Sequence, residues 1–363
     1  MREFFLLFSN AMKSRYFLLL CAIVLISEHP ALCCAAALLR NASVQSDSTG
    51  RLLGEVLPVP DSLVRYGIAQ MDARKYPLAQ ESFEEAIRLD PTNGEAYCRL
   101  CQMEIVQGKN LDKAEEYCLK AIHISPKNAD YYYWLGAVYG LEALNGELID
   151  AMAVASRIRD AFQKALKINP KHANARFAMA QYYLQAPQYA GGSIKEAKKL
   201  ATEAMPFDEV TARRILASVY RIEKKPAAAE DEYRRAVETD RKNVEVLTEF
   251  ASFYINEKRL NEAVECYERA LDIDSTNMFV LQGLGDVYAL QNRIDDAKAM
   301  YQQSLSVLPH HTAALVGLGK IHERQKNKPE ALKCYLLAYK YDPKSKLGKE
   351  AARRVREMKR EKP

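Results

Sequence analysis

The residues with the chemistry to act in this chain are few and poorly spaced for it. Cys98-x-x-Cys101 has the spacing of half a zinc site, since two thiolates one helical turn apart share a face. No second C-x-x-C or C-x-x-H follows at zinc spacing. Small, buried core cysteines are therefore the expected reading, and whether Cys98, Cys101 and Cys118 are oxidised stays open. His310-His311 has no cysteine or carboxylate cluster beside it at ligand spacing. The acidic pairs Glu84-Glu85 and Asp295-Asp296 fall on expected outer helix faces, where solvated charge is the ordinary role. There is no phosphate-cradling glycine loop, no G-x-S-x-G elbow, no H-E-x-x-H and no dinucleotide fingerprint. Catalysis is not expected, nor is any cofactor or metal.

Composition and charge narrow the partners. The chain is 48% hydrophobic and 27% charged, as folded proteins are. Its formal charge of +5 is local. From Pro343 onward nine Lys or Arg stand against three Glu, a net of +6, which leaves the rest near −1. That is no nucleic-acid footprint, so nucleic acid is not an expected partner.

The N-terminus reads as an address. Residues 16 to 26, YFLLLCAIVLI, are uninterrupted apolar, with Lys13 and Arg15 before them and Ala35-Ala36-Ala37 after. This is the layout of a cleaved leader over 1–37, for which Met12 makes the more ordinary start. A bilayer needs about 20 apolar residues, and an uncleaved anchor would have to run through Glu28 and Pro30. Export to the periplasm or outside the cell is expected, with membrane contact only if the N-terminus is retained. Residues 38–59 read as a polar linker, and Asn41-Ala-Ser43 is a glycosylation sequon only in a eukaryote. Five cysteines then remain, Cys98, Cys101, Cys118, Cys266 and Cys334, and an odd number cannot pair fully within one chain.

The elements that must position any site announce themselves by repetition. Ala229, Ala263, Ala297 and Ala331 recur every 34 residues, and Tyr233, Tyr267, Tyr301 and Tyr335 follow each by four. Tyr220, Tyr254, Tyr288 and His322 make a third column; Leu216, Phe250, Leu284 and Leu318 a fourth, each followed by Ala or Gly. Leu281, Leu284, Gly285 and Tyr288 fall on one face of a helix, and Ala297, Tyr301 and Ser304 on one face of the next. Two antiparallel helices approach closely only where small residues meet, which accounts for Gly285 and Ala297. Looser copies precede these, at Gly67, Ala79 and Phe83, at Ala114, Cys118 and Ala121, and at Tyr132, Leu135, Gly136 and Phe162. Ten extra residues sit between Tyr139 and Ile158, and five between Tyr183 and Ala197.

A 34-residue helix–turn–helix with these columns resembles the tetratricopeptide repeat (TPR). The resemblance implies an all-α, right-handed α-solenoid of about eight repeats over 60–343 with a C-terminal capping helix. Its repeats run over about 60–93, 94–128, 129–172 and 173–209, the last two with insertions, then 210–243, 244–277, 278–311 and 312–343. Residues 344–363 form the basic cap, whose Leu347, Ala351, Val355 and Met358 make one apolar stripe. The turn at Pro187 to Gly192 is similar to that of exported bacterial TPR proteins, including the T component of TRAP transporters.

The same resemblance puts partner binding on the concave wall made by the first helices. In this chain that wall implies Tyr133, Trp134, Phe177, Gln181, Arg214, Arg221, Glu249, Asp286 and Lys320. Tyr133, Trp134 and Phe177 suit capture of a peptide or small ligand; the alternative is that Trp134, the single Trp, packs against the ten-residue insertion. The small polar column reads Ala137, Gln181, Ser218, Ser252 and Asp286, without the Asn of carboxylate-clamp co-chaperones. The expected function is a non-catalytic scaffold or adaptor holding a peptide or protein segment. The alternatives are an accessory of a solute transport system and a membrane-anchored assembly factor.

Overall fold

A computed structural model of the chain describes residues 59–108, 110–145 and 148–360. The expected leader over 1–37, the sequon and all of the linker but Val59 lie outside the described residues. Those residues form seventeen α-helices, one 3-10 turn and no strand. Sixteen of the helices make antiparallel pairs. The first four pairs are α1 (Pro60–Asp72) with α2 (Tyr76–Leu89), α3 (Gly94–Gln107) with α4 (Leu111–Ile124), α5 (Ala129–Asn145) with α6 (Leu148–Ile168), and α7 (Ala173–Gln185) with α8 (Ile194–Ala204). The next four are α9 (Glu209–Ile222) with α10 (Pro226–Thr239), α11 (Val244–Asn256) with α12 (Leu260–Ile273), α13 (Met278–Leu290) with α14 (Ile294–Val307), and α15 (Thr312–Arg324) with α16 (Lys328–Tyr341). The cap, α17 (Lys346–Arg360), lies on the last pair and buries Ala351, Val355 and Met358 against Leu315, Val316 and Tyr335.

Local chemistry sets where these helices begin and end. Asn93, Asp208, Asn243 and Asn277 precede first helices, and each side chain accepts an N–H of the first turn. Each later pair turns through one left-handed residue, Lys224, Lys258, Asn292 or Lys326. The next N–H then closes back on the first helix, as Lys225 does on the Tyr220 carbonyl and Arg259 on that of Tyr254, both at 2.8 Å.

Packing within a pair follows one rule. A methyl group placed on Gly285 would stand 2.7 Å from the Tyr301 ring, and Gly67 with Phe83, Gly136 with Phe162 and Gly319 with Tyr335 repeat the arrangement. The ring of the second helix lies on bare backbone of the first. The ten-residue insertion lengthens both α5 and α6, to 17 and 21 residues. The five-residue one forms the 3-10 turn Gln188–Ala190, held by the Tyr182 hydroxyl donating to the Ala190 carbonyl.

The array curls far enough to meet itself. Arg74, in the turn between α1 and α2, pairs with Asp274 at the end of α12 at 3.0 Å. Tyr76 and Phe83 share a buried cluster with Met278 and Leu308, at the two ends of the seventh pair. Lys344 reaches Asp112 at 2.8 Å, and Lys349 donates to the Asn145 carbonyl at 3.5 Å. The first pair is thereby packed against the seventh.

All five cysteines of the array are buried. Cys101 and Cys118 are joined in a disulfide between α3 and α4, while Cys98, Cys266 and Cys334 are thiols.

Candidate functional site on the concave wall

Consecutive first helices touch one another, α3 on α5, α7 on α9 and α13 on α15, in addition to their own partners. In a curled array the layer with the shorter arc is the inner one, so the first helices make the wall. Repetition at 34 residues then stacks equivalent side chains. One column runs Gln181, Ser218, Ser252, Asp286 and Lys320, and a second runs Phe177, Arg214, Thr248 and Gln282.

These columns are cross-linked by polar contacts. Gln181 donates through Nε2 to Ser218 Oγ at 2.9 Å, and Ser218 donates to the Arg214 carbonyl at 3.0 Å. Arg214 holds Glu249 of the next pair through Nη2 at 2.7 Å and Nε at 3.2 and 3.3 Å. Its guanidinium stands 4.1 Å from the Phe177 ring centroid, a cation–π stack. Arg214 and Glu249 are each 2% exposed.

Asp286 is the other charged centre. Its Oδ1 accepts from the Tyr301 hydroxyl at 2.5 Å, and its other oxygen accepts from Gln282. It keeps part of its surface open to solvent, yet burial pushes its carboxyl up to about 6. The hydrogen bonds from Tyr301 and Gln282 and the Lys320 charge pull the other way without cancelling that effect. No cation among the described residues lies within ion-pair distance of it, because Lys320 turns to Glu350 at 3.1 Å.

The nine residues expected on the wall separate into two sets. Tyr133, Phe177, Gln181, Arg214 and Glu249 are buried. Tyr133 packs within 5.1 Å of Trp134 and 5.2 Å of His172, so its ring belongs to the core of the third and fourth pairs. Trp134 is partly buried, in clusters that include Ile158 of the lengthened α6. Arg221 and Asp286 are half-buried and Lys320 is exposed, so the accessible wall lies toward the C-terminal half. In α7 and α11, Ala175 to Tyr182 and Glu245 to Tyr254 are buried without interruption.

The residues missing from that expectation are tyrosines of the second helices. Tyr233 stands 3.5 Å from Arg221, Tyr301 bonds Asp286, and Tyr335 donates to Glu323 at 2.9 Å. Each is a core ring whose hydroxyl reaches the wall. The 34-residue tyrosine column was visible in the sequence, but nothing in it said which way the hydroxyl would point.

Sequence models of the tetratricopeptide repeat match residues 66–129 and 283–346, residues 244–310 and residues 117–153, together more than half of the chain. The chain belongs to the tetratricopeptide-repeat family. TPR proteins are typically non-catalytic interaction scaffolds, and protein interaction is what this array serves.

Among solved structures, yeast Tom70 is similar at 15% identity with a TM-score of 0.63, over 94% of this chain and 69% of that one. TTC0263, a thermophilic TPR protein in Thermus thermophilus, is 19% identical with a TM-score of 0.46, over 54% of this chain and 100% of that one. No curated protein matches the chain by sequence. The likeness to Tom70 concerns the TPR fold. Among the described residues no helix is long and apolar enough to cross a membrane, and no group of three His, Cys, Asp or Glu is placed to hold a metal.

Proposed function

We propose that the chain holds a peptide or protein segment along its concave wall, with a cationic group of that segment seated at Asp286. The observation that supports this is a desolvated carboxylate on the inner layer, held rigidly by Tyr301 and Gln282 and lacking a counter-ion among the described residues. Such a group is costly when ionised and alone, and a Lys or Arg side chain or an amino terminus entering the groove relieves that cost. Lys320, at the same register in the next repeat, and Arg221, on the wall two repeats earlier, favour acidic groups on either side of the cation.

The test is selection from a displayed random peptide library on the immobilised chain. Enriched peptides carry a Lys or Arg, and Asp286→Asn weakens them by about 2 kcal/mol, roughly 30-fold. Binding tightens as pH rises through about 6, where Asp286 ionises. Enriched peptides without basic residues, or equal binding by the folded Asp286→Asn chain, would overturn the assignment.

A further inference from the structure

The second repeat departs from the ring-on-glycine packing of four other repeats, and its departure is chemical. In the first, third, seventh and eighth pairs a ring of the second helix rests on a glycine of the first, Phe83 on Gly67, Phe162 on Gly136, Tyr301 on Gly285 and Tyr335 on Gly319. At the same positions the fifth and sixth pairs carry Ala217 with Tyr233 and Ala251 with Tyr267, and the fourth carries Ala180 with Ala201, all within buried clusters. At these two positions the second pair has Cys101 and Cys118, bonded to each other with Cα atoms 5.8 Å apart. Both are 0% exposed.

We infer that the Cys101–Cys118 bond is the covalent replacement for the ring-on-glycine contact, so that the second repeat is completed only by oxidation. Two thiols supply neither the area of a phenyl ring nor the close approach of two alanines. Linking them draws α3 and α4 to bonding distance and fills the same gap.

The step is an exchange. Two Cys thiols lose two protons and two electrons to a disulfide-bearing oxidant, which leaves as a dithiol. Because both sulfurs end up buried, the exchange precedes closure of the hairpin, and reductants meet the bond only when the hairpin opens. Cys98, one turn before Cys101, does not compete. It packs toward Ala121 and Tyr131 rather than Cys118, so the closing hairpin presents Cys101 and not Cys98 to Cys118. Such a bond forms and persists in oxidising compartments, in line with the leader-like N-terminal sequence. The inference is independent of what the groove binds.

The test starts with the full chain purified from its own cell, denatured and alkylated without reductant, then mapped by mass spectrometry. Cys101 and Cys118 are expected as one linked pair and Cys98 as an alkylated thiol. Alkylated Cys101 and Cys118 would overturn the inference. Hydrogen exchange then separates a structural bond from an incidental one. Reductant is expected to lower amide protection in α3 and α4 by on the order of a hundredfold, the scale for a closed loop of this size. Cys101→Gly with Cys118→Phe, the pair used by the first and third repeats, is expected to keep that protection with or without reductant. Cys101→Ala with Cys118→Ala is expected to lack it in both. Wild-type protection unchanged by reductant, or the Ala variant as protected as the wild type, would overturn the inference.

Discussion

Breaking the Arg214–Glu249 pair is the sharpest test of how the wall is built. Glu249→Gln removes the negative charge and leaves the guanidinium in place. The structure sets the magnitude. Both residues are 2% exposed, three hydrogen bonds at 2.7 to 3.3 Å join them, and Phe177 covers the guanidinium at 4.1 Å. Removing one partner of such a pair strands a desolvated charge, at a cost of about 3–5 kcal/mol. Replacing both, by Arg214→Met with Glu249→Leu, is expected to cost less than either single change. The pair joins α9 to α11, so the loss falls on the interface of the fifth and sixth repeats rather than evenly on the chain. A single unfolding midpoint would blur this. Hydrogen exchange on the intact chain resolves it, as a drop in protection of about two to four orders of magnitude over α9 to α12, with α1 to α4 unchanged. If the folded Glu249→Gln chain loses less than threefold, the pair does not carry the interface and the reasoning from burial is refuted.

Three further outcomes follow from other contacts. Asp286 has its folded pKa, about 6, above its ordinary value of 3.8, so the folded chain holds the extra proton between the two. Stability therefore rises as pH falls through about 6 and levels off near 4; Asp286→Asn removes this slope and stabilises the chain at pH 7 by up to about 3 kcal/mol, as paired melts from pH 4 to 8 will show. Gly285→Val drives a side chain into the Tyr301 ring, 2.7 Å from where its Cβ must sit, and is expected to cost roughly 1–3 kcal/mol in urea unfolding, while Gly140→Ala, with nothing within 4 Å, costs none of that. Arg74→Asp turns the ion pair with Asp274 into a repulsion and loosens the first pair from the junction of the sixth and seventh, by about 1 kcal/mol or less at 25% and 32% exposure. The reversed pair, Arg74→Asp with Asp274→Arg, restores it, read as the radius of gyration by small-angle scattering.

The repeat was legible because it is a rule about volume. Helices can pack in register over eight cycles only if small and large residues recur at fixed spacing, so Gly285 with Tyr301 and Ala297 with Leu284 appear in the sequence as columns. The wall was less legible. Tyr133 and Phe177 occupy wall positions by register, yet they pack into the core, because Trp134, Phe162 and His172 surround the first and the Arg214 side chain covers the second. Periodicity gives the direction of a side chain from its own helix and says nothing of what the neighbouring repeat places over it.

Sequence by itself determined the helices, their pairing and the family, since these follow from local spacing and from caps and turns a few residues long. Only the tertiary structure decided three other matters. It set Arg214 against Glu249, left Asp286 without a cation among the described residues, and joined Cys101 to Cys118 where four other repeats have ring on glycine. It also brought the first repeat onto the junction of the sixth and seventh, through residues 200 apart such as Arg74 and Asp274. The curvature behind that contact is a small rotation per repeat, summed over the array, and no single stretch of sequence carries it.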